Sequence, residues 1–355
     1  MNFLLHRRTP IVLAVGALCL GLSACGTPSA TPVVTTTLPS PIAVLSTTPT
    51  GMAAFEGPIL RIAVPPLANG ETLLPDRPVG QKTTSGTVKI AYRQFGSGPN
   101  LVLAMGERGS MTWWDPQFLQ RLAASYRVTI FDDPAVGYSA PMTRPPSVQI
   151  DGDVLAGLTT ALGLTNVTVV GWGMGGEVAL SFAERHAGLA IGLVIVDASA
   201  GGQSAVRPMA KTGALVGNPL TTMTQLSDVM FTSNAVGVTA KAKWLTNIAE
   251  LEPDNVLFTT VAQQASAQNA FFQNDRVGRL LGAISIPTLI YVGAQDTVLP
   301  KANSDKLARL IYHATYVVDP DAGYASIFQD SAFFLSNLSA IMKKITPTTT
   351  TTTNP

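Results

Sequence analysis

Val167-Thr-Val-Val-Gly171-Trp172-Gly173-Met174-Gly175-Gly176-Glu177-Val-Ala-Leu180 reads as an apolar strand, a tight glycine turn and the start of a helix. The β-branched run favours extended backbone, the glycines permit a reversal through left-handed conformations, and the residues after them favour helix. The same alternation extends in both directions. Short β-branched runs at Val88–Phe95, Leu101–Met105, Val128–Asp132, Val167–Gly171, Gly192–Asp197, Thr288–Val292 and Thr315–Val318 predict strands. Helices are predicted between them at Gln117–Ser125, Val148–Leu162, Met174–Arg185, Asn303–Ile311 and Phe333–Lys344. Continuously apolar strands alternating with helices predict an α/β fold, a mostly parallel sheet covered on both faces. The interval 202–286, rich in Ala, Gln, Thr and Asn, contains no convincing strand and predicts a helical cap over the sheet's carboxyl edge.

The glycine spacing at 171–176 also fits the G-x-G-x-x-G dinucleotide fingerprint, so the turn by itself does not decide the chemistry. Its surroundings do. The turn resembles the G-x-S-x-G nucleophile elbow of the α/β-hydrolase family, with Gly173 in place of the serine. Val88–Pro99 followed by Leu101-Val-Leu resembles that family's opening hairpin and third strand. Met105-Gly106-Glu107 falls at its His-Gly-x loop, and Phe131–Ser139 resembles its D-x-R-G-x-G-x-S segment, with Pro134-Ala135 replacing Arg-Gly. Asp296, in Gly293–Pro300, stands where the family has its acid, and Ala322-Gly323-Tyr324 stands at the family's Gly-His. These motifs occur in family order over roughly residues 80 to 344. The resemblance implies an α/β-hydrolase fold, with triad-equivalent positions Gly173, Asp296 and Tyr324 and oxyanion-equivalent amides at Glu107 and Met174.

Acyl transfer needs a nucleophile, a base to take its proton and donors aimed at the oxyanion. Gly173 offers no nucleophile. Tyr324 is a poor base, because a phenol titrates near pH 10 and a neighbouring carboxylate such as Asp296 raises it further. Of the three histidines, His6 lies near the N-terminus and His313 precedes the last strand at the edge opposite the expected site. His186 closes the helix that begins at the elbow, about 20 Å away at 1.5 Å per residue. A glycine at the strained elbow relaxes a positive-φ conformation that costs other residues about 1–3 kcal/mol. A single engineered serine-to-glycine change would explain Gly173 alone; Tyr324 and Met105 together with it favour an evolved loss of catalysis. Glu107 reads more readily as a solvated loop carboxylate than as a selector of cationic ligands. Asp296 reads as the acid, as an acceptor for the Tyr324 hydroxyl, or as a cap on its turn. Asp132, Asp133 and Asp296 have no histidine support and unspecific spacing, so neither metal nor cofactor is expected. Trp172, Met174, Trp113 and Trp114 suggest an apolar pocket wall, and core packing explains them equally well.

The ends of the chain carry different information. Arg7 and Arg8 precede an apolar run from Ile11 to Leu22, too short to span a bilayer, which takes about 20 residues. The run ends in Leu22-Ser23-Ala24-Cys25, which resembles the bacterial lipobox. That resemblance implies a signal peptide over 1–24 and a lipidated Cys25, leaving the mature domain without a free thiol or disulfide. Its alternatives are an ordinary cleaved signal or a membrane anchor helix. Residues 25–80 form the lipidated cysteine, a Thr/Pro-rich tether and a proline-broken lead-in; 81–345 form the domain; 346–355 are a Thr-rich tail expected to be disordered. About 30 flexible residues span on the order of 30 Å.

With 46% hydrophobic residues the chain can bury a large core, and a net charge of +1 without a Lys/Arg cluster argues against a nucleic-acid partner. The expectation is an exported protein, anchored by lipid on Cys25 to the outer side of the cell membrane, that binds a small apolar ligand or an envelope partner without catalysis. Two rivals stand beside it. One is a hydrolase using water positioned by Asp296 and the amides of Glu107 and Met174. The other is an interaction module whose pocket is vestigial.

Overall fold

The computed structural model describes residues 59–64, 88–142, 145–249, 251, 256–275 and 278–345. The signal peptide, Cys25, the tether, most of the lead-in and the Thr-rich tail lie outside the described residues.

Eight strands form one sheet in the order β1-β2-β4-β3-β5-β6-β7-β8. They are β1 (Leu60–Val64), β2 (Val88–Phe95), β3 (Asn100–Ala104), β4 (Arg127–Phe131), β5 (Val167–Trp172), β6 (Ala190–Val196), β7 (Thr288–Gly293) and β8 (Thr315–Asp319). Strand β2 runs antiparallel to both its neighbours, and every pairing from β4 through to β8 is parallel. Seven strands lie where the β-branched runs place them. The eighth, β1, lies in the lead-in, where extended chain was expected and no strand was assigned. It pairs Leu60 with Tyr92 through Val64 with Val88 at the sheet edge.

Ten helices are described: α1 (Pro116–Ala123), α2 (Val148–Ala161), α3 (Met174–Arg185), α4 (Ala210–Val216), α5 (Met223–Met230), α6 (Ala235–Ala249), α7 (Phe258–Gln273), α8 (Ala302–Leu310), α9 (Ser326–Gln329) and α10 (Ser331–Ile345). Local chemistry sets their starts. Asp115 accepts hydrogen bonds from the Gln117 and Phe118 amides at 2.7 and 3.1 Å, with Pro116 at the first helical position of α1. Ser147 caps α2 through the Ile150 amide. Helices α4 to α7 lie between β6 and β7 in the chain and form the cap.

The central strand β5 is buried at every residue, so its apolar run has no solvent face, as expected for a parallel strand covered on both sides. Beneath the cap, Trp172, Phe328, Trp114, Phe118 and Trp244 pack as an aromatic cluster with ring centroids 5.3 to 6.3 Å apart. Trp114, Trp172 and Met174 are thus core residues, and of the four candidates for the pocket wall only Trp113 lines the cavity described below.

Candidate functional site

The site gathers where β3, β5, β6, β7 and β8 end, at the carboxyl edge of the sheet, under the cap. Strand β5 ends at Trp172, and the chain turns through Gly173 at φ +58° and ψ −123° into α3. That conformation belongs to the region that favours glycine. A second restriction comes from across the site. A Cβ built on Gly173 would overlap the Tyr324 hydroxyl and lie 2.9 Å from Cζ of the same ring. A Cβ on Gly106 would lie 3.2 Å from that hydroxyl. The phenol oxygen therefore sits between the elbow and the loop after β3, in the volume a side chain at 173 would take. Position 173 carries no side chain, and the space for one is filled.

Tyr324 is held there from behind. Its ring packs on Trp172 at 5.0 Å between centroids, and the Trp172 indole donates to the Tyr324 carbonyl at 2.8 Å. The following amide, Ala325, donates to the Met230 carbonyl in the cap at 2.8 Å. Burial pushes the phenol well above its usual range, and the carboxyl groups of Asp296, Asp197, Glu107 and Glu177 push in the same direction. A phenol so placed stays protonated. It can donate a hydrogen bond and cannot act as a base near neutral pH.

Asp296, on the turn after β7, accepts from the Val298 and Leu299 amides at 2.7 and 2.9 Å through Oδ1. Its Oδ2 is buried without a hydrogen-bond partner. Burial pushes this carboxyl up to about 7. Asp197, just after β6 at φ +45°, accepts from the Ser326 hydroxyl at 2.5 Å and the Gly293 amide at 2.9 Å. Its carboxyl is raised well above normal, by burial first and then by Asp296. Ser326 is fully buried and committed to Asp197, so it does not replace the missing serine.

Glu107 departs from the expectation of a solvated loop carboxylate. Its Oε1 is buried and unpartnered, and burial, opposed by the Arg108 charge, pushes the group up to about 7. The reason is the cap. Arg108 donates through its guanidinium to the carbonyls of Val216, Asn218 and Thr221 at 3.0, 2.9 and 3.2 Å, and its amide donates to Gln264 at 2.9 Å. With Arg108 drawn into the cap, the loop carries Glu107 inward with it. Glu177, in the first turn of α3, is wholly buried; Oε2 accepts from Gln268 at 3.2 Å and Oε1 has no partner. Burial first, and the Glu107 charge after it, push Glu177 well above normal, while the bond from Gln268 opposes them. Sequence reasoning missed Arg108, Glu177, Asp197 and Gln268. No local pattern marks them, because each acquires its environment from a distant segment.

The three expected triad positions do come together: Tyr324 fills the space over Gly173 and lies in the field of Asp296. Neither described histidine joins them. His186 pairs with Asp153 at 2.7 Å at the far end of α3, and His313 lies between α8 and β8. Asp132 is likewise committed elsewhere: it accepts from the Met111 and Tyr138 amides and holds the loop after β4. Among the described residues no three His, Cys, Asp or Glu side chains form a metal-holding group.

Under the cap, Glu107, Trp113, Leu226, Met230, Phe272 and Tyr324 are among the residues lining a cavity of about 50 Å³. One water needs roughly 10–15 Å³ on this measure, so the cavity admits a small group.

Comparison with known proteins decides the kinship. The model of the α/β-hydrolase fold family matches residues 99–331. The chain belongs to the α/β-hydrolase family. It is 31% identical over 257 residues to a putative carbamate hydrolase, RutD, of Caulobacter, covering 68% of this chain and 91% of that protein. Among solved structures, a thermophilic esterase from Thermogutta terrifontis matches with TM-score 0.61 and 22% identity, covering 81% of this chain and 99% of the esterase. An enol-lactonase from Burkholderia xenovorans matches with TM-score 0.60 and 21% identity over 72% and 97% of the two chains. The two structural likenesses carry the fold, and the dinucleotide reading of the glycine turn is set aside.

Proposed function

We propose that this member of the α/β-hydrolase family has lost serine-type acyl transfer and serves as a ligand-binding protein of the cell envelope, held at the membrane through a lipidated Cys25. The observation that carries the reading is the Tyr324 hydroxyl in the volume of a side chain at Gly173. One substitution removes the nucleophile and the other closes its site, so no rearrangement of a single side chain restores the chemistry. The cavity beside Tyr324 supports retention of a binding role.

The test uses the purified mature domain with a panel of short-chain esters and a serine-directed fluorophosphonate probe. Neither turnover nor labelling is expected. The double variant Gly173→Ser with Tyr324→His restores a hydroxyl at the elbow and an imidazole beside Asp296, and it is expected to take the label. A folded double variant that stays unlabelled would mean that the site is misplaced.

A second reading is favoured by the unpartnered Asp296 Oδ2 and by relatives named as hydrolases. In it, Asp296 acts as a general base on water, with the amides of Glu107 and Met174 receiving the developing charge. Ester turnover by the unaltered protein that disappears in Asp296→Asn would establish this reading and remove the first.

Anchoring is tested separately. Metabolic labelling with an alkyne fatty acid is expected to mark the unaltered protein and not Cys25→Ser. Among the described residues no helix is long and apolar enough to cross a membrane.

A further inference from the structure

The cavity has one acidic lining residue, Glu107, set among mostly apolar walls. Its Oε1 is buried without a hydrogen-bond partner in the protein, whereas Glu177, outside the lining, is held by Gln268 and the Ser199 backbone. Glu107 shares the cavity lining with Tyr324 and, like Asp296, Asp197 and Glu177, acts electrostatically on that phenol. The nearest cation is no remedy. The Arg108 guanidinium is spent on cap carbonyls. The Gln268 amide serves Glu177 through Oε2. An unsatisfied buried acceptor is costly, and burial of a charge without a partner more so. The cavity therefore holds one acceptor left without a donor, Glu107 Oε1, at the foot of an apolar wall.

The walls above it are of another kind. Trp113, Leu226, Met230, Phe272, Val298 and Leu299 present an apolar surface. The carboxyl groups do not converge as metal ligands do. A single unpartnered carboxyl group next to an apolar wall suits an organic cation better than a metal ion.

We propose that this cavity receives a primary alkylammonium group, its nitrogen donating to Glu107 and its hydrocarbon body packed against Leu226, Met230, Phe272 and Leu299. An ammonium supplies three donors and no acceptor, and one of them can satisfy Glu107 Oε1. The 50 Å³ available accommodates the head group and a short stem. The inference rests on the binding reading given above and adds the chemical class of the ligand.

The experiment is calorimetric titration of the unaltered domain with n-butylammonium, n-butanol and n-butyrate, probes of similar size that differ in charge. n-Butylammonium is expected to bind at least tenfold more tightly than n-butanol, and n-butyrate not to bind. At pH 6, in two buffers of different ionisation enthalpy, ammonium binding is expected to release protons. Glu107, pushed up to about 7 in the free protein, must ionise to pair with the ligand. Arg108 on the same loop, Glu177 on α3 and Tyr324 after β8 are the charged and titratable groups that face it. Glu107→Gln is expected to lose the ammonium preference at least tenfold while keeping weak n-butanol binding.

Equal binding of the amine and the alcohol, absence of amine binding, or amine binding without proton release would each overturn the proposal. The last measurement needs no variant, so it decides even if Glu107→Gln does not fold. Ester turnover by the unaltered protein would instead remove the non-catalytic reading, whichever way the amine titration falls.

Discussion

Replacing Gly173 by alanine adds one methyl group, and two separate penalties follow from its position. The first is conformational: at φ +58° and ψ −123° a side chain is held in a sparsely populated region, at about 1–3 kcal/mol. The second is steric: the new Cβ overlaps the Tyr324 hydroxyl and sits 2.9 Å from Cζ, so the ring must leave its place against Trp172. Overpacking of this kind costs about 1–3 kcal/mol. Together they should destabilise the domain by about 4 kcal/mol, or about 10 °C in Tm for a domain of this size. Only the second penalty depends on Tyr324. In a Tyr324→Val background the alanine should therefore cost only its conformational part, giving a coupling energy of about 1–3 kcal/mol. Thermal and urea unfolding of the four proteins measure it. An alanine cost that is the same in both backgrounds, within about 0.5 kcal/mol, would refute the claim that the phenol fills this volume. A neutral Gly173→Ala would refute the strain as well.

Three further outcomes follow. Burial raises Glu107 from 4.5 to about 7, so its contribution to stability is fully present below about pH 4.5 and lost as pH rises through 7. Asp133, Asp296 and Glu184 are raised to about 7 with the same sign, so Tm should fall between pH 5 and pH 8. Glu107→Gln should flatten part of this slope and stabilise the domain at pH 8 by up to about 3 kcal/mol, as seen in unfolding at several pH values. Arg108→Met leaves the carbonyls of Val216, Asn218 and Thr221 without their donor and should cost about 3 kcal/mol. Limited proteolysis should then cut first near 216–221, and cutting elsewhere with that segment protected would count against Arg108 as the tie between loop and cap. Finally, Cys25→Ser should release the protein from the membrane fraction into the soluble one, and continued sedimentation with membranes would show that another anchor holds it.

Much of the architecture can be read from residue patterns, and the exceptions have physical causes. Seven strands announce themselves as β-branched runs, most plainly the buried parallel β5 and β7, which have no polar face to interrupt the pattern. Strand β1 does not: Leu60-Arg-Ile-Ala-Val is short, lies at the edge with Arg61 exposed, and follows Pro58 and precedes Pro65 in the sequence. At the site, Gly173 and Tyr324 are legible as departures from a motif, each in its own place. Their contact is not legible, because it spans 151 positions and depends on the turn of one ring. Glu107 misleads for a related reason. In Gly106-Glu107-Arg108-Gly109 nothing local distinguishes a loop in water from a loop drawn under a cap, and the decisive bonds run from Arg108 to residues more than a hundred positions away. Glu177 reads as an ordinary acid in a helix's first turn, favoured there by the helix dipole, until Gln268 closes over it.

The packing of the Tyr324 phenol over Gly173 also limits which residues can stand together at this site. In this geometry a serine at the elbow and a tyrosine at 324 exclude one another, since even a Cβ at 173 meets the ring. Starting from a serine and a histidine at these positions, an unobstructed path through single substitutions would lose the serine before it gained the tyrosine. The reverse journey is blocked at its first step, because a serine regained while the tyrosine remains has nowhere to stand. A tyrosine at 324 would thus act as a ratchet, holding position 173 to glycine for as long as the ring stays in place.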